Sequence, residues 1–225
     1  MRKMILKAAA LVTICAASAR GNVFITEFCS DTGNNQLFEF SEFTNLGSSP
    51  VNMSGWSEDD SNAAPNKSGH MLSGLGTLAP GESGIITQAT PADFLAFWGI
   101  SSSVPVVGPY TTDNLSTTAD SITLFNSSGT LVDRLDYSTT KGGSADSVTR
   151  NCPPDALGKN ENSHWVNSFI NDGFDSFHAN QKISIIGNPG IYKGESVPEP
   201  ASVSVLFLGA GLVMGRQFGR RHLTA

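Results

Sequence analysis

Alternating apolar and polar positions near the start of the chain predict two β-strands. Residues 22–28 alternate strictly, which places Val23, Ile25 and Glu27 on one face of the first strand. Residues 36–45 alternate over a longer stretch and predict the second strand. Asp, Gly and Asn residues between the two segments indicate a turn, so the two strands are expected to be neighbours.

Further short strands follow at regular intervals. Residues 50–56 predict a third strand that ends at Trp56, and residues 83–87 predict a buried strand after the turn 79–82. Residues 121–126 and 130–137 flank Ser127-Ser128-Gly129, where a glycine with positive φ suits a hairpin. From Gly142 the pattern weakens until Trp165, and the region closes at the turn 187–190.

One short helix interrupts the strands. Thr90 is a favourable N-cap, Pro91 suits the first helical position and Asp93 can complete a capping box. Gly99 supplies the stop. The helix is too short to persist alone, so its apolar face is expected to pack on the sheet; that face consists of Phe94, Phe97 and Trp98. Together the elements predict an all-β fold, a β-sandwich with one short helix.

The N-terminus has the layout of a signal peptide. Arg2, Lys3 and Lys7 form a basic start, residues 8–17 are apolar, and Ala17-Ser18-Ala19 offers the small residues that signal peptidase requires. We expect cleavage after Ala19, which makes residues 1–19 the signal peptide and 20–194 the mature domain.

The C-terminus, residues 195–225, has a different signature. Val197-Pro198-Glu199-Pro200 precedes the apolar run 201–214, and Arg216, Arg220 and Arg221 follow it. Two prolines separate the run from the preceding domain, and the arginines favour a cytoplasmic end. The layout resembles the PEP-CTERM sorting signal of Gram-negative bacteria, which implies processing by the membrane enzyme exosortase. The run has 14 residues, against about 20 for a full span, so we expect a short transmembrane helix that holds the protein in the membrane only transiently.

The net charge of the predicted mature domain limits the kinds of partner that it can bind. Of the 14 Lys and Arg residues, three lie in the signal peptide and three lie after Val197, and of the 20 Asp and Glu residues only Glu199 lies outside residues 20–197. Residues 20–197 therefore carry eight basic and nineteen acidic side chains, a net charge of −11. Such a surface repels phosphate backbones, so no nucleic-acid partner is expected.

Two cysteines are left when Cys15 leaves with the signal peptide, and both belong to an exported domain. We predict a Cys29–Cys152 disulfide, with two separate buried thiols as the alternative. A bridge across so long a loop would add up to about 5 kcal/mol in the chain-entropy model.

The strand sequences resemble the lamin tail domain. The residues that carry the resemblance are Ile25-Thr26-Glu27, Phe38-Glu39-Phe40, and the segments 44–47, 50–56, 78–82, 120–125 and 132–133, followed by Ser147 to Arg150, Trp165 and Pro189-Gly190. The resemblance implies an immunoglobulin-like fold and a binding or scaffolding role rather than an enzymatic one. The segment 151–188 matches little of the family pattern.

The acidic segment Glu58, Asp59 and Asp60 is the one candidate metal site. On an exposed turn these carboxylates could offer oxygen ligands to calcium, but the spacing is not that of an EF-hand, and a solvated acidic loop is the alternative. No zinc spacing and no Gly-x-Ser-x-Gly motif occurs in the sequence. Glu39 and Glu42 could form a glycosidase-like pair, but the polar face of a strand is the simpler interpretation. No other cofactor is indicated.

The three tryptophans are candidates for sugar stacking. Trp56 ends a strand and Trp98 lies in the packed helix, so both are predicted to be core residues. Trp165 lies in the unmatched region and is the best candidate for an exposed, ligand-stacking ring.

These features predict a non-enzymatic protein that is exported to the cell surface or extracellular matrix of a Gram-negative bacterium. Signal peptidase and exosortase would process it, and matrix polysaccharide or surface proteins would be its partners. The alternatives are a calcium-dependent adhesion module and a secreted hydrolase that acts on nucleic acid or polysaccharide.

Overall fold

The computed structural model describes residues 23–30, 39–60, 70–110, 114–138 and 149–194. The signal peptide and the C-terminal sorting signal predicted above lie outside these residues. Within them there are fourteen strands, one α-helix and three 3₁₀ turns. The strands are β1 (Val23–Cys29), β2 (Phe40–Asn45), β3 (Val51–Asn52), β4 (Ser57–Asp59), β5 (His70–Met71), β6 (Thr77–Leu78), β7 (Ser83–Thr87), β8 (Val106–Val107), β9 (Ala119–Phe125), β10 (Leu131–Ser138), β11 (Arg150–Asn151), β12 (Val166–Asn167), β13 (Phe177–Ala179) and β14 (Lys182–Gly187).

Two sheets face each other. The larger has the strand order β12-β11-β1-β2-β7-β8, and the smaller has the order β10-β9-β4-β5. Strands β3–β6 and β13–β14 form two further pairs. The predicted architecture, mostly β with one short helix, is confirmed and is consistent with an immunoglobulin-like β-sandwich.

The apolar core between the two sheets is built from residues of both. Ile25, Phe43 and Ile86 of the larger sheet join Ile122 and Leu135 of the smaller one in a single buried cluster. Removal of this apolar surface from water is the main contribution to folding, on the order of 2 kcal/mol for each large side chain.

A β-bulge in β1 overturns the strict alternation predicted there. Ile25 is opposite Phe43 and Glu27 is opposite Glu42, so Thr26 is an extra residue between them. The bulge shifts the phase of the strand: Phe28 returns to the inter-sheet core with Ile25, whereas Glu27 lies on the outer face of the larger sheet.

The helix α1 (Pro91–Trp98) forms as predicted and covers that outer face. Thr90 Oγ1 accepts a hydrogen bond from Asp93 N, and Gly99 ends the helix at φ +72°. Three buried side chains of α1 pack with Phe40, Ile85, Ala179 and Ile185 in a second cluster: Phe94, Phe97 and Trp98.

The hairpin also forms as predicted, whereas the turn predicted between the first two strands lies outside the described residues. Strands β9 and β10 pair in antiparallel fashion, and Gly129 has φ +75° in the turn between them. The third predicted strand is shorter than expected, because the chain leaves β3 after Asn52 and turns at Gly55, φ +77°. Trp56 is buried beyond this turn, as predicted.

The segment 151–188 is an integral part of the sandwich. Strands β11 and β12 extend the larger sheet beside β1, and the pair β13–β14 lies with α1 over its outer face. No helix in the described parts of the chain is both long and apolar enough to cross a membrane.

Candidate functional site

The acidic segment predicted as an exposed calcium turn is a buried strand. Glu58 and Asp59 lie in β4, between β9 and β5, and both are at most 3 % exposed, while Asp60 is also buried. The prediction of an exposed turn is wrong because the pairing of β4 with two neighbours encloses these side chains. Among the described residues no group of three or more His, Cys, Asp or Glu side chains could hold a metal ion.

Glu58 instead pairs with a histidine. Its Oε2 lies 3.0 Å from Nδ1 of His70, which is its partner across β4 and β5. Burial raises the pKa of Glu58 above its ordinary value, and the hydrogen bond and charge of His70 oppose this rise. The pair therefore joins two neighbouring strands inside the protein.

A second buried carboxylate continues this polar network. The ring of His70 stacks on Tyr110 with 4.4 Å between ring centroids, and the Tyr110 hydroxyl donates to Glu39 at 2.9 Å. Glu39 also accepts from the backbone N–H of Leu115 at 2.6 Å and from the side chain of Gln88 at 3.1 Å. These bonds satisfy the carboxylate inside the sandwich, so Glu39 joins separate loops, whereas the sequence predicted the polar face of a strand.

A third polar cluster lies at the centre of the outer face of the larger sheet. Glu27 and Glu42 are opposite each other on β1 and β2, and both are 0 % exposed. Glu42 therefore lies among other polar side chains of its strand face, but this part of the face is buried. The signal for its burial is present in the sequence: apolar residues occupy both faces of β2, which is typical of a strand covered on both sides.

The hydroxyl and backbone donors to the two glutamates come from the neighbouring strand and from distant parts of the chain. Glu42 accepts from Thr26 Oγ1 at 2.7 Å and from the backbone N–H of Gly190 at 2.6 Å. Glu27 accepts through Oε1 from the Thr149 hydroxyl and from the backbone N–H of Asn188 at 2.9 Å. The two carboxyls thereby join the central strands to the segment 187–190.

Glycine at position 187 permits this close approach. A Cβ atom there would lie 2.6 Å from Cγ2 of Thr149 and 2.8 Å from Cη2 of Trp98. Only a residue without a side chain brings the end of β14 so near to the sheet. The φ of Gly190 is +88°, a second position where glycine is favoured.

Trp165 is not a stacking platform. It is 6 % exposed and packs edge-on against Phe28, with ring centroids 5.4 Å apart. The prediction of an exposed ring is wrong because β11 and β12 enclose the tryptophan against β1. Trp98 is buried in the second cluster, as predicted.

Cys29 and Cys152 are not joined by a disulfide. The backbone N–H of Cys152 bonds to the carbonyl of Thr26, three residues before Cys29. Three residues of a strand span about 10 Å, and disulfides require Cα atoms within about 7 Å. The two cysteines are buried in different clusters, so the predicted bridge is wrong and the alternative of two separate thiols fits.

A surface groove with a volume of about 590 Å³ lies where α1, the following loop and β13 meet. Its apolar walls include Ile100, Val104 and Phe177, and Pro189 and Ile191 close one side. Its polar side chains carry no carboxylate: Ser101, His178 and Asn180. No carboxylate of the described residues lines the groove, although the domain as a whole is strongly acidic.

Comparison with known families now assigns the fold. A model of the lamin tail domain matches residues 16–139, more than half of the chain. The chain belongs to the lamin tail domain family. This immunoglobulin-like domain is generally a structural, non-catalytic fold. The match ends before β11, so the later elements of the predicted resemblance, from Ser147 to Gly190, lie outside it. No curated protein matches the chain.

Proposed function

We propose that this lamin tail protein is an exported, non-enzymatic component of a bacterial cell surface or extracellular matrix. In this proposal signal peptidase removes residues 1–19 and exosortase acts near Val197-Pro198-Glu199-Pro200. Support comes from the basic and apolar pattern of both ends, from the net charge of −11 and from a family that is generally structural.

The groove beside α1 is the proposed binding surface, and exopolysaccharide is the proposed ligand. The observation that carries this choice is the lining. Apolar side chains can pack against the C–H faces of a sugar ring, while Ser101, His178 and Asn180 can bond its hydroxyls. Because no carboxylate of the described residues lines the groove, these walls do not repel the uronic or sulfated sugars that many matrix polymers carry.

The export part of the proposal is tested by intact-mass spectrometry of the protein recovered from the surface and medium of its host. We expect the mass of a chain that begins near Arg20 and ends near Val197. A chain that still ends at Ala225 would contradict processing.

The binding part is tested by titration of the protein with oligosaccharides released from the host's own exopolysaccharide. We expect Asn180→Ala to weaken binding, because the substitution removes an amide from the groove and keeps the Cβ. The matched control is Asn114→Ala, an exposed asparagine outside the groove lining. Equal affinities for the two variants would contradict the assignment of the groove.

A further inference from the structure

The buried pair Glu27 and Glu42 has an electrostatic problem that its surroundings only partly solve. The two residues are directly opposite on antiparallel strands, and both are 0 % exposed. Like charges in this arrangement repel, and an ionised carboxylate without water is strongly disfavoured. The pair is therefore expected to hold fewer than two negative charges.

The hydrogen bonds locate the missing proton. Both oxygens of Glu42 and one oxygen of Glu27 accept bonds from hydroxyl or N–H donors. The remaining atom, Glu27 Oε2, is buried and has no partner among the described residues. The same is true of Oδ1 of Asn151, the residue opposite Glu27 on β11. Both atoms are acceptors, so a proton on Glu27 supplies the donor that this pair of residues lacks.

The other titratable groups near the pair are acidic as well. Asp172 adds a little to the rise in the pKa of Glu27, and burial, then the charge of Cys152 and then that of Glu42 raise the pKa of Tyr192. Burial, followed by the charge of Glu42, raises the pKa of Glu27 well above its ordinary value. Burial also raises the pKa of Glu42, against which its hydrogen bonds act, those of Thr26 and Gly190 foremost. The proton therefore belongs on Glu27.

We propose that Glu27 and Glu42 form a single-proton latch that holds the segment 187–190 on the outer face of the central sheet. In the closed state Glu27 is a neutral acid and Glu42 is a carboxylate. Together they bind the backbone N–H groups of Asn188 and Gly190. When Glu27 releases its proton to solvent, two adjacent buried charges oppose each other and the segment loosens. Because Pro189 and Ile191 line one side of the groove, the latch also controls the shape of the groove.

The direct test is carboxyl-carbon NMR of the protein labelled at glutamate, recorded as a function of pH. The signal lost in Glu27→Gln identifies Glu27. We expect it to keep the shift of a protonated acid well above the ordinary pKa of glutamate. A Glu27 signal that already belongs to a carboxylate near pH 5 would overturn the proposal, and this would also be the outcome if the amide nitrogen of Asn151 donates to Glu27.

Amide hydrogen exchange of Asn188 and Gly190 tests the latch itself. Between the ordinary pKa of glutamate and the Glu27 midpoint their protection factors should fall by about tenfold per pH unit, because opening then releases one proton, and they should level off above the midpoint. Glu27→Gln keeps an acceptor and adds an N–H, and it should abolish this dependence. Glu161→Gln, a half-exposed glutamate, serves as the control and should leave the dependence unchanged. Protection that stays constant with pH in the wild type would overturn the latch.

A bound cation between two ionised carboxylates is the competing explanation. In that case calcium or magnesium would raise the melting temperature of the wild type and a chelator would lower it, whereas Glu27→Gln would lose this response. That result would replace the proton by a metal and overturn the proposal. With a proton in place, the melting temperature is unchanged by either treatment.

Discussion

Both faces of the six-stranded sheet are buried, but they are covered in different ways. The inner face meets the second sheet through apolar side chains such as Ile25, Phe43 and Ile86. The outer face combines an aromatic cluster around Trp98 with two hydrogen-bonded glutamates. Apolar burial does not depend on pH, whereas the outer cover requires a proton and a close backbone approach. A change of pH should therefore affect the stability of this protein mainly through the cover of the outer face.

Phe43→Ala should give the largest effect, because it opens a cavity in the inner face. Phe43 is 0 % exposed, and truncation of such a side chain costs about 3–5 kcal/mol. Urea unfolding measures the free energy of unfolding of both proteins. We expect the same loss at pH 5 and at pH 8. A loss that changes with pH would show that the two faces are not independent.

Asp133 is a buried carboxylate on the inner side and should give the next largest effect. Its Oδ2 accepts from the backbone N–H of Ile25, beside the bulge, at 2.9 Å. Burial raises the pKa of Asp133 to about 6, against backbone hydrogen bonds from Ile25 and Arg134 that lower it. Since the folded pKa is above the unfolded value, the folded state binds the extra proton. The resulting stabilisation is complete at low pH and is lost as the pH rises from about 4 to about 6.

The measurement is the free energy of unfolding as a function of pH for the wild type and for Asp133→Asn. The wild type should lose up to about 3 kcal/mol across this window, and the variant should lack that part of the slope. Of any decrease that continues above pH 6 in Asp133→Asn, the part that Glu27→Gln also removes belongs to the outer face and to Glu27. A variant curve parallel to that of the wild type would contradict the assignment.

Gly187→Ala tests the close approach on the outer face. The added methyl group would lie within 3 Å of Thr149 and Trp98, and overpacking of this kind costs about 1–3 kcal/mol. Thr149→Ser removes Cγ2, the atom nearest to the new methyl group, and keeps the hydroxyl that bonds Glu27. The double variant should therefore recover part of the loss. If Gly187→Ala has wild-type stability in urea, the approach is not tight.

Local signals in the sequence predicted the elements that local chemistry determines. The cap at Thr90, the stop at Gly99 and the turn at Gly129 each need only neighbouring residues, and all three form as predicted. The extra residue Thr26 is different, because a bulge is defined by the register with a partner strand. Strict alternation therefore placed Glu27 on the wrong face.

The candidate sites were less predictable, because burial of a polar side chain depends on strands far away in the chain. Glu58 was expected on an exposed turn and is enclosed by β5 and β9. Trp165 was expected at the surface and is enclosed by pairing of β11 with β1. The donors from Thr149, Asn188 and Gly190 to the two glutamates come from positions more than 120 residues away. No local pattern contains that information.

Thr90→Ala should give the smallest effect and tests whether the cover of the outer face depends on its local cap. Thr90 Oγ1 accepts from Asp93 N at 3.2 Å and donates to Asp93 Oδ2 at 2.7 Å. Loss of an N-cap costs about 1 kcal/mol, and an eight-residue helix has little stability of its own. Urea unfolding should show this loss in Thr90→Ala and almost none in Thr90→Ser, which keeps the hydroxyl. If Thr90→Ala is as stable as the wild type, packing of Phe94, Phe97 and Trp98 alone fixes the helix, and the outer face resembles the inner one more closely than its glutamates suggest.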